Sequence, residues 1–379
     1  MALTLPPRRA ALAVIALALV GCTGVAIAGV AIFQRADWTN SAPDFPRNLL
    51  TRAWVHWDSS WYTAIAADGY WYIPGRQSPV AFFPTYPAVV AAFRALGMNR
   101  FWAGILVSAL SGMAGLLVFN RWAKHLGGEA LALRATALLA LYPFAFYLYG
   151  VLYSDALFLL AVTGAFYALE KERVWLAVLI GALATAARPV APAVVLGLVA
   201  RGIELRVARG ERPRPVDFAP VLAGLGLAAY MGFLWYRFGD ALAFVHVESA
   251  PGWAHQVGPH SWLKIELLHQ LVRRPARLGP LISVAHGVLA LAAMAMAIPT
   301  WRHWSKAYAL YVLAVVGIPA LSSKDFMGLG RYVIAAFPIF LTLALLLEPR
   351  PRARRTWLIA SATCLVALTM AFAADRYVA

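Results

Sequence analysis

The chain has 379 residues, of which 62% are hydrophobic and 13% are charged, about half the charged fraction that is usual for a soluble domain. This composition excludes an ordinary soluble protein and predicts an integral membrane protein. Its spans are helical, because windows of about 17 to 25 residues carry few or no charges. The net charge of +16 does not indicate nucleic acid, since the basic residues cluster in short loops where topology and anionic lipids explain them.

The positive-inside rule orders the first spans. Arg8 and Arg9 precede a span at about 10–33, which places the N-terminus in the cytoplasm and makes residues 34–79 a first extracytoplasmic loop. The Pro-rich apolar stretch 79–97 is predicted to be an interfacial or re-entrant helix. The reason is that the next span, about 101–120, ends at the basic residues Arg121 and Lys124, which belong inside only if that span enters from outside.

The remaining segments alternate across the membrane. Segment 135–152 leads out, Tyr153-Ser154-Asp155 turns outside, and 156–169 returns. Residues 174–200 are too few for two full spans and predict two shortened helices that meet near Arg188-Pro189. Further spans are expected at about 217–237, 279–299, 307–322, 333–348 and 356–373, with a second large extracytoplasmic loop at about 238–278. The prediction is an all-α, polytopic transmembrane protein of about nine to eleven membrane helices, forming one domain over residues 1–379.

Asp58 is the strongest candidate for a catalytic residue. It follows the first span and is flanked by Trp54, Trp57, Trp61 and Tyr62, where partial desolvation would raise its pKa toward that of a useful base. Two alternatives stay open. Asp58 could cap a short helix that begins near Ser59, and the aromatic residues could simply mark the membrane interface rather than contact a sugar or a lipid chain.

Three other charged residues lie at unusual places. Asp155 is predicted at the outer tip of a helical hairpin. It is either a functional group or the N-cap of a helix starting at Ala156. Arg331 opens a span on the outer side, where a guanidinium suits an anionic headgroup or a phosphate leaving group; an ion pair with Asp325 or a snorkelled anchor is the alternative. Arg188 lies within an apolar stretch and needs a partner or water.

A metal or a nucleotide site has little support in the sequence. His246, Glu248, His255 and His260 fall in the 238–278 loop, but their spacing matches no compact metal motif. Both cysteines, Cys22 and Cys364, lie in apolar runs, so no cysteine metal site or disulfide framework is predicted. The chain has no phosphate-binding glycine loop, dinucleotide fingerprint or serine nucleophile elbow.

Several short motifs occur in a recognisable order. They are Trp57-Asp58, Gly69-Tyr70, Phe82-Phe83-Pro84 with Tyr86-Pro87, Leu152 to Phe158, Ala184 to Pro189, and Gly330-Arg331-Tyr332 with Phe337-Pro338. Over roughly residues 50–340 the chain resembles glycosylphosphatidylinositol mannosyltransferase II (PIG-V) and its bacterial relatives, within the GT-C superfamily of membrane glycosyltransferases. Asp155 departs from that pattern, which more often has Glu, and Arg188-Pro189 is matched in the eukaryotic form only at the arginine.

The resemblance implies a GT-C-like fold and transfer of a sugar, mannose, from a polyprenyl-phosphate carrier to a glycolipid or glycan hydroxyl on the extracytoplasmic face of the cell membrane, with inversion. Asp58 would be the general base. Arg331, helped by Lys324, would stabilise the departing phosphate, and Asp155 would orient donor or acceptor. Further substrate-binding residues are expected within the same motifs or next to them: His56, Trp57, Tyr70, Tyr153 and Arg188.

No cofactor is expected, and a lipid monophosphate leaving group lessens the need for a divalent metal. The helix 79–97 could form a wall for the prenyl chain. Two rival functions remain. A lipid-linked sugar flippase would use similar charged groups but should show inverted repeats, which the sequence lacks. An inactive partner subunit of a separate mannosyltransferase would keep the fold without needing Asp58.

Overall fold

The computed structural model describes residues 7–34, 40–253, 258–273 and 278–378. Over these ranges the backbone forms α-helices joined by loops and short 3₁₀ turns, with no β-strand. His255, one of the four residues considered as metal ligands, lies outside the described residues. The helices are α1 (Pro7–Phe33), α2 (Leu49–Trp54), α3 (Ser59–Asp68), α4 (Thr85–Ala95), α5 (Arg100–Ala140), α6 (Asp155–Glu170), α7 (Val174–Thr185), α8 (Ala191–Ala208), α9 (Leu225–Phe238), α10 (Ala243–His246), α11 (Pro259–Trp262), α12 (Ile265–Arg273), α13 (Leu278–Ala295), α14 (Ala297–His303), α15 (Lys306–Ser322), α16 (Leu329–Ala335), α17 (Pro338–Leu346) and α18 (Pro351–Ala373).

Long apolar helices confirm the predicted all-α, polytopic class. By length and composition five stretches could cross a membrane: Arg9–Phe33, Arg100–Ala140, Pro215–Phe238, Leu278–His303 and Pro351–Ala373. A sixth span results if α16 and α17, which meet at an 84° bend, count as one broken helix. The described residues thus hold fewer full-length spans than the nine to eleven membrane helices predicted. The reason is that α6 has 16 residues and α7 has 12, whereas a full crossing needs about 20.

The two spans predicted at 101–120 and 135–152 are arranged differently. Helix α5 runs for 41 residues and is broken at Gly128, whose φ of 80° is left-handed, so two helices meet there at a kink. The second of them ends at Ala140. The chain then continues as a buried, irregular segment with a 3₁₀ turn at Ala145–Leu148, where hydropathy alone had predicted a membrane helix. Backbone groups of this kind are tolerated at membrane depth only where protein surrounds them.

The predicted re-entrant and broken segments have the expected form. Helix α4 has 11 residues, about 16 Å, and is too short to cross the hydrocarbon core. The Tyr86 hydroxyl ties α4 to α5 by hydrogen bonds of 2.8 Å to the Gly104 carbonyl and to Ser108. The Thr85 amide donates to the Ala186 carbonyl at 3.1 Å, within the break between α7 and α8 that contains Arg188-Pro189.

Four irregular segments converge on one place in this fold. They are the turn between α2 and α3, the irregular segment before α6, the break between α7 and α8, and the start of α16. The chain that follows α18, residues 374–378, lies against the first of these through ring contacts with Trp57. The charged residues singled out in the sequence lie on these segments, so tertiary packing brings them together from distant positions in the chain.

Candidate active site

The turn that carries Asp58 is locally strained. Trp57 has a φ of 45°, a left-handed conformation that a bulky residue rarely adopts and that costs on the order of 1–3 kcal/mol. Hydrogen bonds from the Ser59 amide to the His56 carbonyl (3.0 Å) and from the Ser60 amide to the Trp57 carbonyl (3.1 Å) close the turn. The surrounding structure must impose this conformation, because the isolated backbone disfavours it.

Asp58 does not act as a helix cap. It occupies the N-cap position of α3, but its side chain makes no capping hydrogen bond and its backbone is helical, with φ −62° and ψ −15°. Instead Oδ2 lies 3.6 Å from Nη1 of Arg331, and the Asp58 amide donates to the Tyr153 hydroxyl at 3.1 Å. The helix-capping alternative for this side chain is therefore excluded.

Opposing effects act on the pKa of the Asp58 carboxyl group. Burial, the largest effect, raises its pKa, while the positive charge of Arg331 acts to lower it. The negative charges of Asp155 and Glu248 act in the same direction as burial. The net result is a pKa above the ordinary value, although 31% of the side chain is still accessible to solvent. An accessible carboxylate with a raised pKa is suited to accept a proton from a substrate.

Arg331 lies in the first turn of α16. The helix begins directly after Gly328, whose φ of 85° lets the chain turn into it. Its guanidinium is 5.2 Å from the ring centre of Tyr153 and 5.8 Å from that of Tyr147. Among the described residues its buried Nε has no hydrogen-bond partner. A buried N–H without an acceptor costs free energy, and because the group is permanently charged an anionic oxygen would be a favourable acceptor for it.

The ion pair between Arg331 and Asp325 that the sequence left open is not formed. The Asp325 carboxylate accepts instead from the amide of Met327 at 2.9 Å, and the described partner of Arg331 is Asp58. Only 18% of the Arg331 side chain is exposed, so it does not reach outward as a snorkelled anchor does.

Asp155 and Arg188 form a second ion pair beside the first. Nη1 of Arg188 donates to Oδ1 of Asp155, and the two side chains are 5% and 3% exposed respectively. The N-cap of α6 is Ser154, without a side-chain capping bond, so Asp155 is not the cap. Arg188 also lies 4.2 Å from the ring centre of Tyr332. The buried charge at position 188 thus has both a carboxylate partner and an aromatic face.

The two ion pairs belong to one electrostatic unit. The Tyr332 ring contacts Arg188 and lies 6.0 Å from Arg331. The charge of Asp155 acts on Arg331 as well as on Asp58. Two carboxylates and two guanidiniums therefore face each other in a mostly buried setting with no net charge. Such an arrangement can bind and polarise a substrate that carries both an anionic and a neutral polar part.

The other predicted site residues lie at different distances from this centre. Tyr153 is part of it. His56 and Trp57 face away from Asp58, against Phe372 at the end of α18, with ring centres 5.1 and 5.0 Å away. Tyr70 donates to the Phe82 carbonyl at 2.7 Å and packs in a separate apolar cluster.

Lys324 is half-buried, and its amino group lies 3.4 Å from the carbonyl oxygen of Gly252. This contact joins the start of the α15–α16 loop to the loop that follows α10. The roles of Lys324 and Tyr70 in substrate binding stay predictions.

An aromatic group lies on the α3 side of the site. Trp61, one turn after Asp58, stacks on Phe82 at 5.8 Å and contacts Trp253 at 5.8 Å and Trp71 at 6.3 Å. Sequence reasoning singled out Trp61 but missed Trp253, because the two are far apart in the chain. It named Tyr62 and Ser154 but did not predict their contact: the two hydroxyls are 3.0 Å apart.

The histidines of the 238–278 loop do not form a metal site in the described part of the chain. Nδ1 of His246 is 2.7 Å from Oδ2 of Asp240. Within the described ranges there is no group of three or more His, Cys, Asp or Glu side chains that could hold a metal ion.

Comparison with known proteins identifies the fold. No protein-family model and no curated protein sequence matches the chain. Among solved structures, ArnT from Cupriavidus metallidurans, bound to undecaprenyl phosphate, superposes with a TM-score of 0.53 and 14% identity over 92% of this chain and 63% of that chain. The apo oligosaccharyltransferase from Archaeoglobus fulgidus gives 0.50 and 11% identity over 96% of this chain and 56% of that chain.

A third structure agrees. Archaeal AglB from Archaeoglobus fulgidus, in complex with an inhibitory peptide and a dolichol-phosphate, gives a TM-score of 0.50 at 11% identity and covers 97% of this chain and 56% of that chain. The chain thus spans roughly three fifths of the length of these proteins. At these identities the similarity shows the fold alone: the chain has a fold like that of ArnT and the archaeal oligosaccharyltransferase.

Proposed function

We propose that the chain is a membrane glycosyltransferase that transfers a sugar, mannose, from a polyprenyl-phosphate carrier to a hydroxyl of a glycolipid or glycan, with inversion. Within the GT-C fold we assign it to the bacterial relatives of PIG-V, from the order of its motifs. Two of the similar structures hold undecaprenyl phosphate and a dolichol-phosphate, which supports a lipid-phosphate donor.

The observation that carries the proposal is the pairing of Asp58 with Arg331. A carboxylate that is about one third accessible and has a raised pKa lies 3.6 Å from a guanidinium with a buried, unused N–H. Sugar transfer from a lipid phosphate needs these two groups: a base for the acceptor hydroxyl and a cation for the departing phosphate.

In the proposed reaction the acceptor oxygen attacks the anomeric carbon while the carbon–oxygen bond to the phosphate breaks. Asp58 takes the acceptor proton, and the electron pair of the broken bond goes to the phosphate oxygen, which Arg331 stabilises. An in-line displacement puts base and phosphate on opposite sides of the sugar, roughly 8 Å or more apart. In the structure Asp58 lies 3.6 Å from Nη1 of Arg331, and a phosphate bound on the Nε side of the same guanidinium would lie farther from the base.

Donor binding would also activate the base. Arg331 is the main influence that lowers the pKa of Asp58. When the donor phosphate neutralises the guanidinium, that influence falls, and burial raises the pKa further toward neutrality. Donor binding thus makes Asp58 a better base at the moment when an acceptor can be deprotonated, and it discourages proton uptake by Asp58 in the absence of donor.

The neighbouring groups have supporting roles in the proposal. The Asp155–Arg188 pair fixes the orientation of Tyr332 and of the sugar, and Lys324 adds positive charge on the side of the phosphate. The short helix α4 forms part of a wall for the prenyl chain. The reaction needs no cofactor and no divalent metal, because the leaving group is a monophosphate that Arg331 already stabilises.

The proposed topology puts the N-terminus in the cytoplasm and the Asp58–Arg331 centre at the extracytoplasmic face of the cell membrane. The loop at 201–215 supports it, since its five arginines favour the cytoplasmic side. Arg209 pairs with Glu172, so the turn between α6 and α7 lies at the same end of the helices.

A reconstituted transfer assay tests the function. Purified protein in proteoliposomes receives radiolabelled polyprenyl-phosphate mannose and a membrane glycolipid extract, and the label is followed in acceptor and donor. Label in the acceptor fraction supports the transferase. Label that crosses the bilayer while still attached to the carrier would instead identify a flippase. Transfer that depends entirely on an added mannosyltransferase, and is unaffected by Asp58→Asn, would identify an inactive partner subunit.

A further inference from the structure

The residues that follow α18 contact residues adjacent to Asp58 and lie near the residue that precedes Arg331. Helix α18 ends at Ala373, and residues 374–378, here called the strap, fold back on the turn at Trp57. Nδ1 of His56 lies 3.2 Å from Oδ1 of Asp375, and the His56 side chain is completely buried. Sequence reasoning did not single out any residue of the strap.

The strap also contacts the strained turn. The Trp57 ring packs edge-on against Tyr377 of the strap, with ring centres 5.4 Å apart, and against Phe372 in the last turn of α18, at 5.0 Å. The amide of the next residue, Asp58, donates to the Tyr153 hydroxyl at 3.1 Å. Together these contacts hold the left-handed backbone of Trp57, as a strained conformation requires if it is to persist.

The strap reaches the arginine as well. The backbone of Val378 lies close to the imidazole of His286, and Nδ1 of His286 accepts from the amide of Gly330 at 3.3 Å. Gly330 directly precedes Arg331. One short segment thus joins the turn that carries the base to the helix that carries the cation.

The backbone geometry at Asp375 indicates that its side chain matters. The Arg376 amide donates to the Ala371 carbonyl at 2.9 Å and the Asp375 amide to the Phe372 carbonyl at 3.0 Å, which is the Schellman pattern of a helix C-terminus. Asp375 occupies the left-handed position of that motif, with φ 62°, where glycine is strongly favoured. Asp375 thus places a carboxylate at a position where the helix end favours a residue without a side chain. That carboxylate contacts His56.

We propose that the strap is a positioning device: Asp375, acting through His56, holds the turn at residues 56–58 so that Asp58 faces Arg331. This inference rests on the proposed function, because the position of Asp58 relative to Arg331 affects catalysis only if the two residues act in sugar transfer. Asp375 and His56 are positioning residues and do not touch the reacting atoms.

The substitution Asp375→Gly separates positioning from folding. Glycine suits φ 62°, so the variant should keep or raise its thermal unfolding midpoint while losing the contact with His56. We expect kcat to fall by about tenfold or more with a donor KM within about threefold of wild type, since a small misplacement of a catalytic group has large effects on rate. Asp375→Asn, which tolerates the same backbone and keeps an oxygen for His56, should retain more activity.

His56 provides a reciprocal test. His56→Asn keeps an N–H donor near the position of Nδ1 and should retain a substantial part of kcat, whereas His56→Ala should behave like Asp375→Gly. The effects of His56→Ala and Asp375→Gly should not add when combined, because each breaks the same contact. Arg376→Ala is the matched control, since its side chain is exposed on the same strap.

Hydrogen exchange tests the proposal without a measurement of activity. In Asp375→Gly the peptide around residues 55–60 should exchange faster than in wild type, and Arg376→Ala should not change it. Wild-type kcat together with wild-type exchange in Asp375→Gly would overturn the strap proposal. If wild-type protein transfers no sugar, the proposed function fails, but the exchange experiment still decides whether Asp375 holds the turn.

Discussion

The buried pair of Asp155 and Arg188 allows a quantitative prediction about stability. The substitution Asp155→Asn would leave the Arg188 guanidinium buried without its carboxylate, and arginine cannot escape by losing its proton. Breaking a buried pair in this way costs about 3–5 kcal/mol. The Tyr332 ring, 4.2 Å from the guanidinium, offsets about 1 kcal/mol. We therefore expect Asp155→Asn to lower the free energy of unfolding by roughly 2–4 kcal/mol.

Equilibrium unfolding in mixed micelles with increasing SDS, followed by circular dichroism, measures this loss. Asp155→Glu keeps the carboxylate and should lose less than Asp155→Asn. The double substitution Asp155→Leu with Arg188→Met removes both charges and should recover most of the stability. If Asp155→Asn unfolds like wild type, or if the double variant recovers nothing, the two side chains do not form a buried ion pair and the description of the site is wrong.

Three further predictions concern the site and its scaffold. Arg331→Lys should raise the donor KM about 10- to 100-fold in steady-state assays, because lysine supplies no planar fork and no equivalent of the buried Nε; an unchanged KM would remove Arg331 from donor binding. The kcat/KM of transfer should rise with pH to a plateau, because a base must be deprotonated, with an inflection above the ordinary pKa of aspartate since burial raises that of Asp58. Gly226→Ala should lower the unfolding midpoint, because its Cβ would lie 1.8 Å from the Ala182 carbonyl oxygen, whereas Gly21→Ala, with nothing within 4 Å, should not.

Hydropathy predicted the class of fold but not the lengths of its helices. The apolar composition of residues 135–152 predicts that they are buried. It does not distinguish a membrane helix from the irregular segment that follows Ala140. The distinction comes from tertiary packing, which supplies hydrogen-bond partners that lipid cannot. By contrast, the break near Arg188-Pro189 was predictable, since proline and a short interval act locally.

The sequence located the charged residues of the site but not their partners. Asp58 could be read equally as a base or as a helix cap, and the decision depends on its side-chain contacts and backbone angles, which no local pattern encodes. Arg188 and Asp155 are 33 residues apart, and their pairing is fixed by how α6 packs against the break before α8. Asp375 gave no signal, because its role depends on a contact with a residue 319 positions earlier.

The strain at Trp57 illustrates what sequence patterns omit. The aromatic residues around Asp58 suggested a membrane interface as readily as a binding site. In the structure Trp57 instead packs inward, against Phe372 and Tyr377, and its left-handed backbone directs the next side chain toward Arg331. The functional reading of this motif therefore depends on a backbone angle rather than on composition.

The central claim is that Asp58 accepts the proton of the acceptor while Arg331 holds the donor phosphate. The most direct measurement compares donor binding and single-turnover transfer in wild type and Asp58→Asn, with folding checked by size exclusion and circular dichroism. The account predicts that Asp58→Asn binds polyprenyl-phosphate mannose within a few-fold of wild type but transfers the sugar about 10² to 10⁴ times more slowly. Transfer at the wild-type rate by Asp58→Asn would contradict the account.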